Sequence, residues 1–245
     1  MIKYKYLILT LIITFSIGVK AQSVDTIKTN KGNLIIHFLG HGSLFFEFNG
    51  KNIFIDPYSR VADYSTLPKA DLILVTHDHP DHLDSAALAT IFTTNTTLYW
   101  TKACEKESKF KATGKALSNG DKLLWKNILI EAVPAYNIVN KNKEGNPFHP
   151  AGEGNGYILT FGNKRVYIAG DTENIPEMLR FRPISVAFLP MNLPYTMTPE
   201  MVKDAALMID PKILYPYHFG KTDTSTIIEL LKERPSIEIR IRKME

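Results

Sequence analysis

The chain has 245 residues, 44% of them hydrophobic and 22% charged, a composition that fits one soluble globular domain of generous size. Its formal charge is +4, and the mildly basic residues 102–115 are interpreted as a solvated helix face, so nothing indicates a nucleic-acid partner. A single cysteine, Cys104, excludes an internal disulfide and is predicted to be an inert packing residue.

The first 21 residues have the features of a secretory signal peptide. Lys3 and Lys5 form a basic start, residues 7–19 are apolar, and residues 19–21 carry the small side chains that a signal peptidase prefers. We expect cleavage before Gln22, export to the periplasm or the medium, and no stable membrane insertion afterwards. A membrane anchor is the alternative, although a bilayer span needs roughly 20 apolar residues. Loss of Lys3, Lys5 and Lys20 lowers the formal charge from +4 to about +1.

Residues 22–245 are expected to form a single domain that opens with strands. Residues 34–38, 43–48 and 52–55 are rich in strand formers, and Asn49-Gly50 is typical of a hairpin turn between the last two.

Two polar residues stand at the ends of these strands. His41 lies between Gly40 and Gly42, which let the backbone turn sharply. Its imidazole either points into a pocket or belongs to an ordinary turn in water. Asp56 ends the third strand, where it either accepts a hydrogen bond from a metal-ligating histidine or acts as a simple cap.

The next strand, at residues 72–75, precedes the densest group of possible metal ligands in the chain. In an extended segment His77 and His79 point the same way, so both imidazoles can reach one cation. Three imidazoles and a carboxylate at one strand end cost desolvation and repulsion unless a cation gathers them. Such a donor set suits zinc, with manganese or iron as alternatives, rather than calcium. The pattern H-x-H-x-D-H therefore predicts a metal site, with the ligands His77, His79, Asp81 and His82.

The remaining segments alternate between strands and helices. Asp84 is predicted to cap a short helix that runs to about residue 92. A polar loop at residues 140–155 contains His149, and a loop of that length inside a compact domain is usually functional or disordered. Strands are predicted at 98–100, within 115–132, and at 156–161, 165–169, 186–189, 213–217 and 237–241, with helices at 199–209, started by Thr198, and at 224–233. Asp171 follows the strand at 165–169, and His218 ends the one at 213–217.

The order of these strand-end residues resembles the metallo-β-lactamase superfamily, from about residue 35 to the end of the chain. The resemblance rests on H-x-H-x-D-H, on Gly-Asp-Thr at 170–172 and on Tyr-His-x-Gly at 217–220. It implies an α+β fold, a four-layer αββα sandwich with two sheets face to face, helices outside, and two divalent metal ions at one edge.

Carried over to this chain, the resemblance implies two ligands of the first metal, three of the second and one carboxylate that bridges both: His77 and His79, then Asp81, His82 and His218, then Asp171. The family normally adds a third histidine to the first metal; the matching stretch of this chain, residues 134–137, has none, and its Asn137 is a weak zinc ligand that is one alternative for that place. We expect the long loop to fold back and deliver His149 instead; an ordinary loop role or a substrate contact are the alternatives for it.

Small members of the superfamily, L-ascorbate-6-phosphate lactonase and N-acyl-phosphatidylethanolamine phospholipase D, are similar to this chain at residues 40–43, 55–57 and 169–172. Two cations roughly 3.5–4 Å apart lower the pKa of a shared water from 15.7 toward 7, and one of them polarises the scissile oxygen. We therefore expect a metal-bound hydroxide to attack an ester-like bond, in a lactone or a phosphoester of a small molecule.

Four residues are expected to act directly in catalysis: Asp81, Asp171, Asn192 and Tyr195. The last two lie in the loop at residues 191–196 and are candidates for a proton donor or an oxyanion contact, with ordinary loop packing as the alternative. A phosphodiesterase acting on a lipid or nucleotide is the alternative reaction. A metal-dependent binding protein without turnover is the alternative of another class.

Overall fold

In the computed structural model the structure is described for residues 23–244, so the expected signal peptide at residues 1–21 lies outside the described residues. Across residues 23–244 no helix is both long enough and apolar enough to cross a membrane.

The first half of the chain forms a seven-stranded sheet whose strands follow one another in sequence order. Neighbours from β1 to β4 are antiparallel and those from β4 to β7 are parallel. The strands are β1 (Ser23–Thr29), β2 (Gly32–Gly40), β3 (Ser43–Phe48), β4 (Lys51–Ile55), β5 (Leu72–Leu74), β6 (Thr97–Trp100) and β7 (Lys115–Ala116). Strand β1 carries no clear strand signal in the sequence, because this edge strand is mostly polar and buries only Ile27.

The second half forms another seven-stranded sheet with the same succession of pairings. Neighbours from β8 to β11 are antiparallel, and those from β11 to β14 are parallel. Its strands are β8 (Lys122–Trp125), β9 (Ile128–Ala135), β10 (Gly154–Phe161), β11 (Lys164–Ile168), β12 (Val186–Pro190), β13 (Ile213–Tyr217) and β14 (Glu238–Ile239).

The α-helices connect the parallel strands, and the predicted start signals of two of them, α1 and α3, are confirmed. The helices are α1 (Ser85–Ile91), α2 (Lys102–Glu107), α3 (Pro199–Ile209) and α4 (Ser225–Leu230). Asp84 accepts hydrogen bonds from the backbone N–H groups of residues 86 and 87, and Thr198 accepts one from Met201 N. Helix α3 coincides with the prediction, and α1 ends one residue before the predicted limit.

The interpretation of residues 102–115 as one helix face is wrong for most of its length. Helix α2 ends at Glu107, after which Ser108 takes an extended conformation and Phe110 packs edge-on against Phe92, with 5.3 Å between ring centroids. Lys115 pairs with Tyr99 in the sheet. Apolar packing and strand pairing, which are tertiary interactions, override the local helical pattern here.

The two sheets pack face to face with the helices outside, which confirms the predicted αββα sandwich. Alternation along β5 shows the arrangement: Leu72 and Leu74 belong to the apolar core between the sheets, whereas Ile73 belongs to the cluster under α1 and α2. Aromatic rings cross the interface, with the Phe46 and Phe161 centroids 6.1 Å apart. The predicted packing residue Cys104 is fully buried in the outer cluster, and burial raises the pKa of its thiol to about 12.

The hairpin and the parallel strands together position the candidate ligands. Asn49 and Gly50 have φ of 49° and 70°, as the hairpin turn requires. Because the carboxyl ends of neighbouring parallel strands lie at one edge of a sheet, the residues that follow β4, β5, β11, β12 and β13 meet at one edge of the sandwich.

Candidate metal centre

The segment after β5 is extended at first and then turns sharply. The backbone N–H groups of His82 and Leu83 both donate to the carbonyl of His79, at 2.9 and 2.8 Å. This turn, at Pro80, brings His82 back beside His77, with 4.0 Å between their ring centroids, while the His77 and His79 rings lie 4.7 Å apart. One contiguous motif therefore supplies candidate ligands to overlapping groups.

Side chains from both halves of the chain converge at this edge in three overlapping groups. Within each group the possible ligand atoms lie within 4.8 Å of one another. The groups are His77 with His79 and His149; His41 with Asp81, His82 and His218; and His77 with His82 and Asp171.

Asp171 stands between the first two groups. Its Oδ2 lies 3.4 Å from His149 Nε2 and 3.5 Å from His218 Nε2. Its Oδ1 lies 3.6 Å from His82 Nε2. A carboxylate in this position can contact cations on both sides, which is the position that the superfamily resemblance implies for it.

The donor atoms fit a pair of cations. Among the described residues, His77 Nε2, His149 Nε2 and Asp171 Oδ1 are buried without a hydrogen-bond partner. A buried polar atom without a partner costs about 1–3 kcal/mol, so three such atoms within these overlapping groups favour a ligating role over a packing role. Imidazole and carboxylate donors suit zinc, iron and manganese.

Hydrogen bonds behind three of the histidines direct their Nε2 atoms toward the site. His77 Nδ1 donates to Thr76 Oγ1 at 3.0 Å, and His82 Nδ1 donates to Asp56 Oδ2 at 2.8 Å. His149 Nδ1 donates to Asn137 Oδ1 at 2.6 Å. Because Nδ1 then carries a proton, Nε2 is the nitrogen through which each ring can bind a cation, and it faces the centre.

Asp56 is fully buried and its carboxylate is saturated with hydrogen bonds. Besides the bond from His82, Oδ1 accepts from Thr76 N and Oδ2 from Thr76 Oγ1, both at 2.7 Å. Of the two roles left open for Asp56, the structure shows the hydrogen bond to a candidate ligand. Asp56 thus supports the ligand cluster from behind.

The long loop folds back and brings His149 into the group with His77 and His79. Asn137, the residue at the position where the family has a histidine, lies behind it: its Oδ1 accepts from both the backbone N and the Nδ1 of His149, at 2.9 and 2.6 Å. The Asn137 oxygen is therefore occupied with orienting the histidine.

Glu173, which was not among the predicted site residues, holds this loop in place. Its fully buried carboxylate accepts hydrogen bonds from the backbone N–H groups of Ile138, Val139 and Asn140, at 2.8, 2.7 and 2.6 Å. It also accepts one from the Asn137 side-chain amide at 3.1 Å. A second carboxylate two residues beyond Asp171, at the end of a buried strand, was the available sign of this role.

His41 points toward the centre rather than into water. It has φ of 52°, and its Nε2 donates to Asp81 Oδ2 at 2.8 Å. The ring centroids of His41 and His218 are 3.8 Å apart. His41 therefore packs on one candidate ligand and hydrogen-bonds to another.

The side chains of Asn192 and Tyr195, the two loop candidates, have different surroundings, although Tyr195 N donates to Asn192 O at 2.9 Å. The side-chain amide of Asn192 contacts His218 Nδ1 at 3.3 Å. Tyr195 is about half exposed, and its ring packs edge-on against Phe148 with 5.1 Å between centroids. Asn192 thus lies behind a candidate ligand, and Tyr195 lies at the mouth of the site.

The local charges favour the protonation states in which these side chains can bind a metal, except at His82. Burial opposes ionisation of Asp171, but the imidazoles of His218 and His82 outweigh it and hold the pKa of the carboxyl well below its usual range. Burial lowers the pKa of His77 and His79. Burial also opposes protonation of His82, yet the nearby carboxylates raise its pKa to about 9, so without a cation His82 holds a proton.

A cavity of about 190 Å³ opens beside the ligand atoms. Its lining includes His77, His79, His149 and Asp171 together with Phe148 and Pro147. One wall is therefore polar and ligating, and another is apolar.

The sequence matches known proteins over most of its length. The family model of the beta-lactamase superfamily domain matches residues 35–218. The chain is 30% identical over 195 residues to a UPF0173 metal-dependent hydrolase of Pyrococcus abyssi, covering 76% of this chain and 84% of that protein. It is 31% identical over 197 residues to a UPF0173 metal-dependent hydrolase of Enterococcus faecalis, covering 76% and 87%.

Solved structures agree with these sequence matches. A candidate metal-dependent hydrolase from Parabacteroides distasonis superposes with a TM-score of 0.86 at 45% identity, covering 92% of this chain and 100% of that one. A metallo hydrolase from Ignicoccus hospitalis superposes with a TM-score of 0.70, covering 86% and 95%; at 23% identity it supports the fold alone.

Proposed function

Because the chain belongs to the β-lactamase superfamily, and within it to the UPF0173 family of metal-dependent hydrolases, we propose that it hydrolyses an ester-like bond of a small molecule outside the cytoplasm. The observation that carries this proposal is the position of Asp171, between two groups of ligand atoms, with Oδ1 lacking a hydrogen-bond partner. The proposed bond is a lactone or a phosphoester.

The proposed roles follow from the two groups. A pair of divalent cations, zinc in our proposal and manganese or iron otherwise, supplies a water of lowered pKa and a Lewis acid for the scissile oxygen. His77, His79 and His149 would hold one cation and Asp81, His82 and His218 the other, with Asp171 shared. We expect the ionised Asp171 carboxylate to orient the attacking water as well.

The residues around the ligands have proposed roles in positioning. Asn192 keeps His218 oriented through its contact with Nδ1, and Tyr195 at the mouth is proposed to donate a hydrogen bond to the substrate. The lactone and phosphoester proposals rest on the resemblance that the sequence suggests, at residues 40–43, 55–57 and 169–172, to L-ascorbate-6-phosphate lactonase and N-acyl-phosphatidylethanolamine phospholipase D.

Metal content and turnover test the function together. The purified protein, loaded with zinc or manganese, should contain two metal ions per chain by mass spectrometry and hydrolyse at least one class among chromogenic esters, lactones and bis-phosphodiesters. Two bound ions without turnover of any class would favour a binding protein. One bound ion per chain would overturn the shared position of Asp171.

A matched pair of histidine variants makes the test specific. His149→Ala should reduce metal occupancy, because it removes one of three imidazoles from the first group. His37→Ala is the control, since His37 donates to Glu47 at 2.6 Å and belongs to none of the ligand groups. Equal metal content in both variants would show that His149 is not a ligand.

Export is proposed from residues 1–21. The protein recovered from the periplasm or medium of its own cells should begin at Gln22 by mass spectrometry. An intact first residue in a membrane fraction would indicate an anchor instead.

A further inference from the structure

Two loops at the mouth of the metal centre carry a concentration of exposed apolar side chains. Of the eight large apolar residues that are exposed among residues 23–244, four lie in these loops. Single exposed apolar side chains are ordinary, whereas a group beside a concave site marks a binding surface. We call the four the apolar rim: Ile138, Val139, Leu193 and Tyr195, between 46% and 64% exposed.

Each loop includes an asparagine whose side chain contacts a candidate metal ligand. Ile138 directly follows Asn137, whose Oδ1 accepts from His149 Nδ1 at 2.6 Å. Leu193 directly follows Asn192, whose amide contacts His218 Nδ1 at 3.3 Å. The rim therefore borders the centre from the side of both groups of ligands.

The rim is continuous with the cavity beside the ligands. The Tyr195 ring packs edge-on against Phe148 with 5.1 Å between centroids. Phe148 in turn lines the same cavity as His77, His149 and Asp171. An apolar surface thus extends from the ligand atoms, over Phe148, to the exposed rim.

The rim is held in place by hydrogen bonds. The buried Glu173 carboxylate accepts from the backbone N–H groups of Ile138 and Val139 at 2.8 and 2.7 Å. The loops are joined by the Asn137 amide, which donates to Tyr195 O at 2.9 Å, and by the Asn140 amide, which donates to the residue 196 carbonyl at 2.7 Å. A surface fixed in this way loses little entropy when it binds an apolar group.

The two segments that carry the rim residues have no charged side chain, although Lys141 directly follows the first segment. Residues 136–140 and 191–197 contain no Asp, Glu, Lys or Arg. The polar atoms of Asn137 and Asn140 are directed inward, to the hydrogen bonds described above. Apart from the Tyr195 hydroxyl, the rim therefore presents hydrocarbon and aromatic surface to a ligand.

We propose that the apolar rim binds the hydrocarbon part of the substrate, whose ester or phosphoester group lies over the cations. The substrate class is then an amphiphile with an acyl or alkyl chain. This inference rests on the proposed hydrolase function, which concerns the bond that is cleaved, and adds that the substrate carries a hydrocarbon chain.

A series of 4-nitrophenyl esters from acetyl to octanoyl tests the inference in the metal-loaded protein. The value of kcat/KM should rise with chain length, by up to about fourfold for each methylene that the rim buries. The double variant Val139→Ser with Leu193→Ser should reduce this rise to less than about twofold per methylene, with unchanged metal content. Leu124→Ser is the control, because Leu124 is exposed on β8 and lies outside the site.

A binding experiment without turnover separates this inference from the proposed function. The affinity of alkylphosphonates from methyl to octyl, measured by calorimetry, should rise with chain length and lose this dependence in the double variant. If affinity depends on chain length but no ester is hydrolysed, only the proposed hydrolase function is wrong. If neither kcat/KM nor affinity depends on chain length, the proposed role of the rim is wrong.

Membrane docking is the competing use of such a surface. If phosphatidylcholine vesicles retain the wild-type protein but not the double variant in flotation, while chain length has no effect on monomeric ligands, the rim docks onto lipid and the inference is overturned. Vesicle binding that Leu124→Ser abolishes equally would also count against it.

Discussion

The two halves of the chain, residues 23–116 and 122–239, build the same sheet twice and use it differently. In each half the first three pairings are antiparallel and the last three are parallel. The first half supplies its candidate ligands from one contiguous motif after β5. The second half supplies them singly, from a loop and from the ends of β11 and β13.

The equivalent fourth strands show the difference most clearly, because each ends near a buried aspartate. Asp56 follows β4 and itself has φ of 45°. After β11 the left-handed residue is Gly170, with φ of 65°, and a Cβ there would lie 2.9 Å from the Asn155 carbonyl oxygen, so only glycine fits. Asp171 follows it.

The partners of the two carboxylates decide their roles. The Asp56 oxygens are taken by hydrogen bonds from Thr76 and His82. Asp171 Oδ1 has no such partner among the described residues and faces His82 at 3.6 Å. The same topological position therefore yields a supporting acid in one half and a candidate metal ligand in the other.

The largest expected effect is that of Asp171→Asn. Removing the charge shared by both groups should lower metal content to one ion or less per chain and reduce kcat/KM by about a thousandfold or more, since loss of a group that acts on the reacting charge costs about 10²–10³ by itself. Metal analysis and steady-state kinetics on the best substrate class measure both. If the variant retains two ions, Asp171 is not a metal ligand and does not differ from Asp56 in this respect.

A smaller effect is expected for Asp56→Asn. The variant weakens the support of His82 and Thr76, so metal affinity or activity should fall about 10–100-fold, with a loss of about 1–3 kcal/mol in the free energy of unfolding. Metal titration and denaturant unfolding check the two numbers. Asp204→Asn, at an exposed surface carboxylate, is the control. A loss as large as that of Asp171→Asn would mean that both acids act alike.

The smallest expected effect is on the pH dependence of metal binding, where the two acids act on the same ring. His82 lies between them, with Nδ1 2.8 Å from Asp56 and Nε2 3.6 Å from Asp171, and its pKa in the metal-free protein is raised to about 9. A cation on Nε2 must displace that proton, so below pH 9 apparent affinity should fall by about tenfold per pH unit as pH falls. Calorimetry in buffers of different ionisation enthalpy should detect about one proton released at pH 7.5. Binding of unchanged affinity between pH 7 and 9 would contradict this reading of His82.

Much of the fold could be predicted because its signals are local. Asp84 and Thr198 mark helix starts by accepting hydrogen bonds from the next turn, and Asn49-Gly50 marks its hairpin. The edge strand β1 and the chain after Glu107 could not be predicted from such signals. Their conformations depend on pairing and packing with residues distant in sequence.

The amino-acid sequence by itself determined the metal motif, because His77, His79, Asp81 and His82 are neighbours in the chain. It also determined the superfamily, through the order of the strand-end residues. Only the tertiary structure decided that Asn137 lies behind His149, that Glu173 anchors the loop, and that four apolar side chains border the centre. The physical reason is that a hydrogen bond or an exposed surface depends on where distant segments meet, and residue spacing along the chain carries no record of that distance.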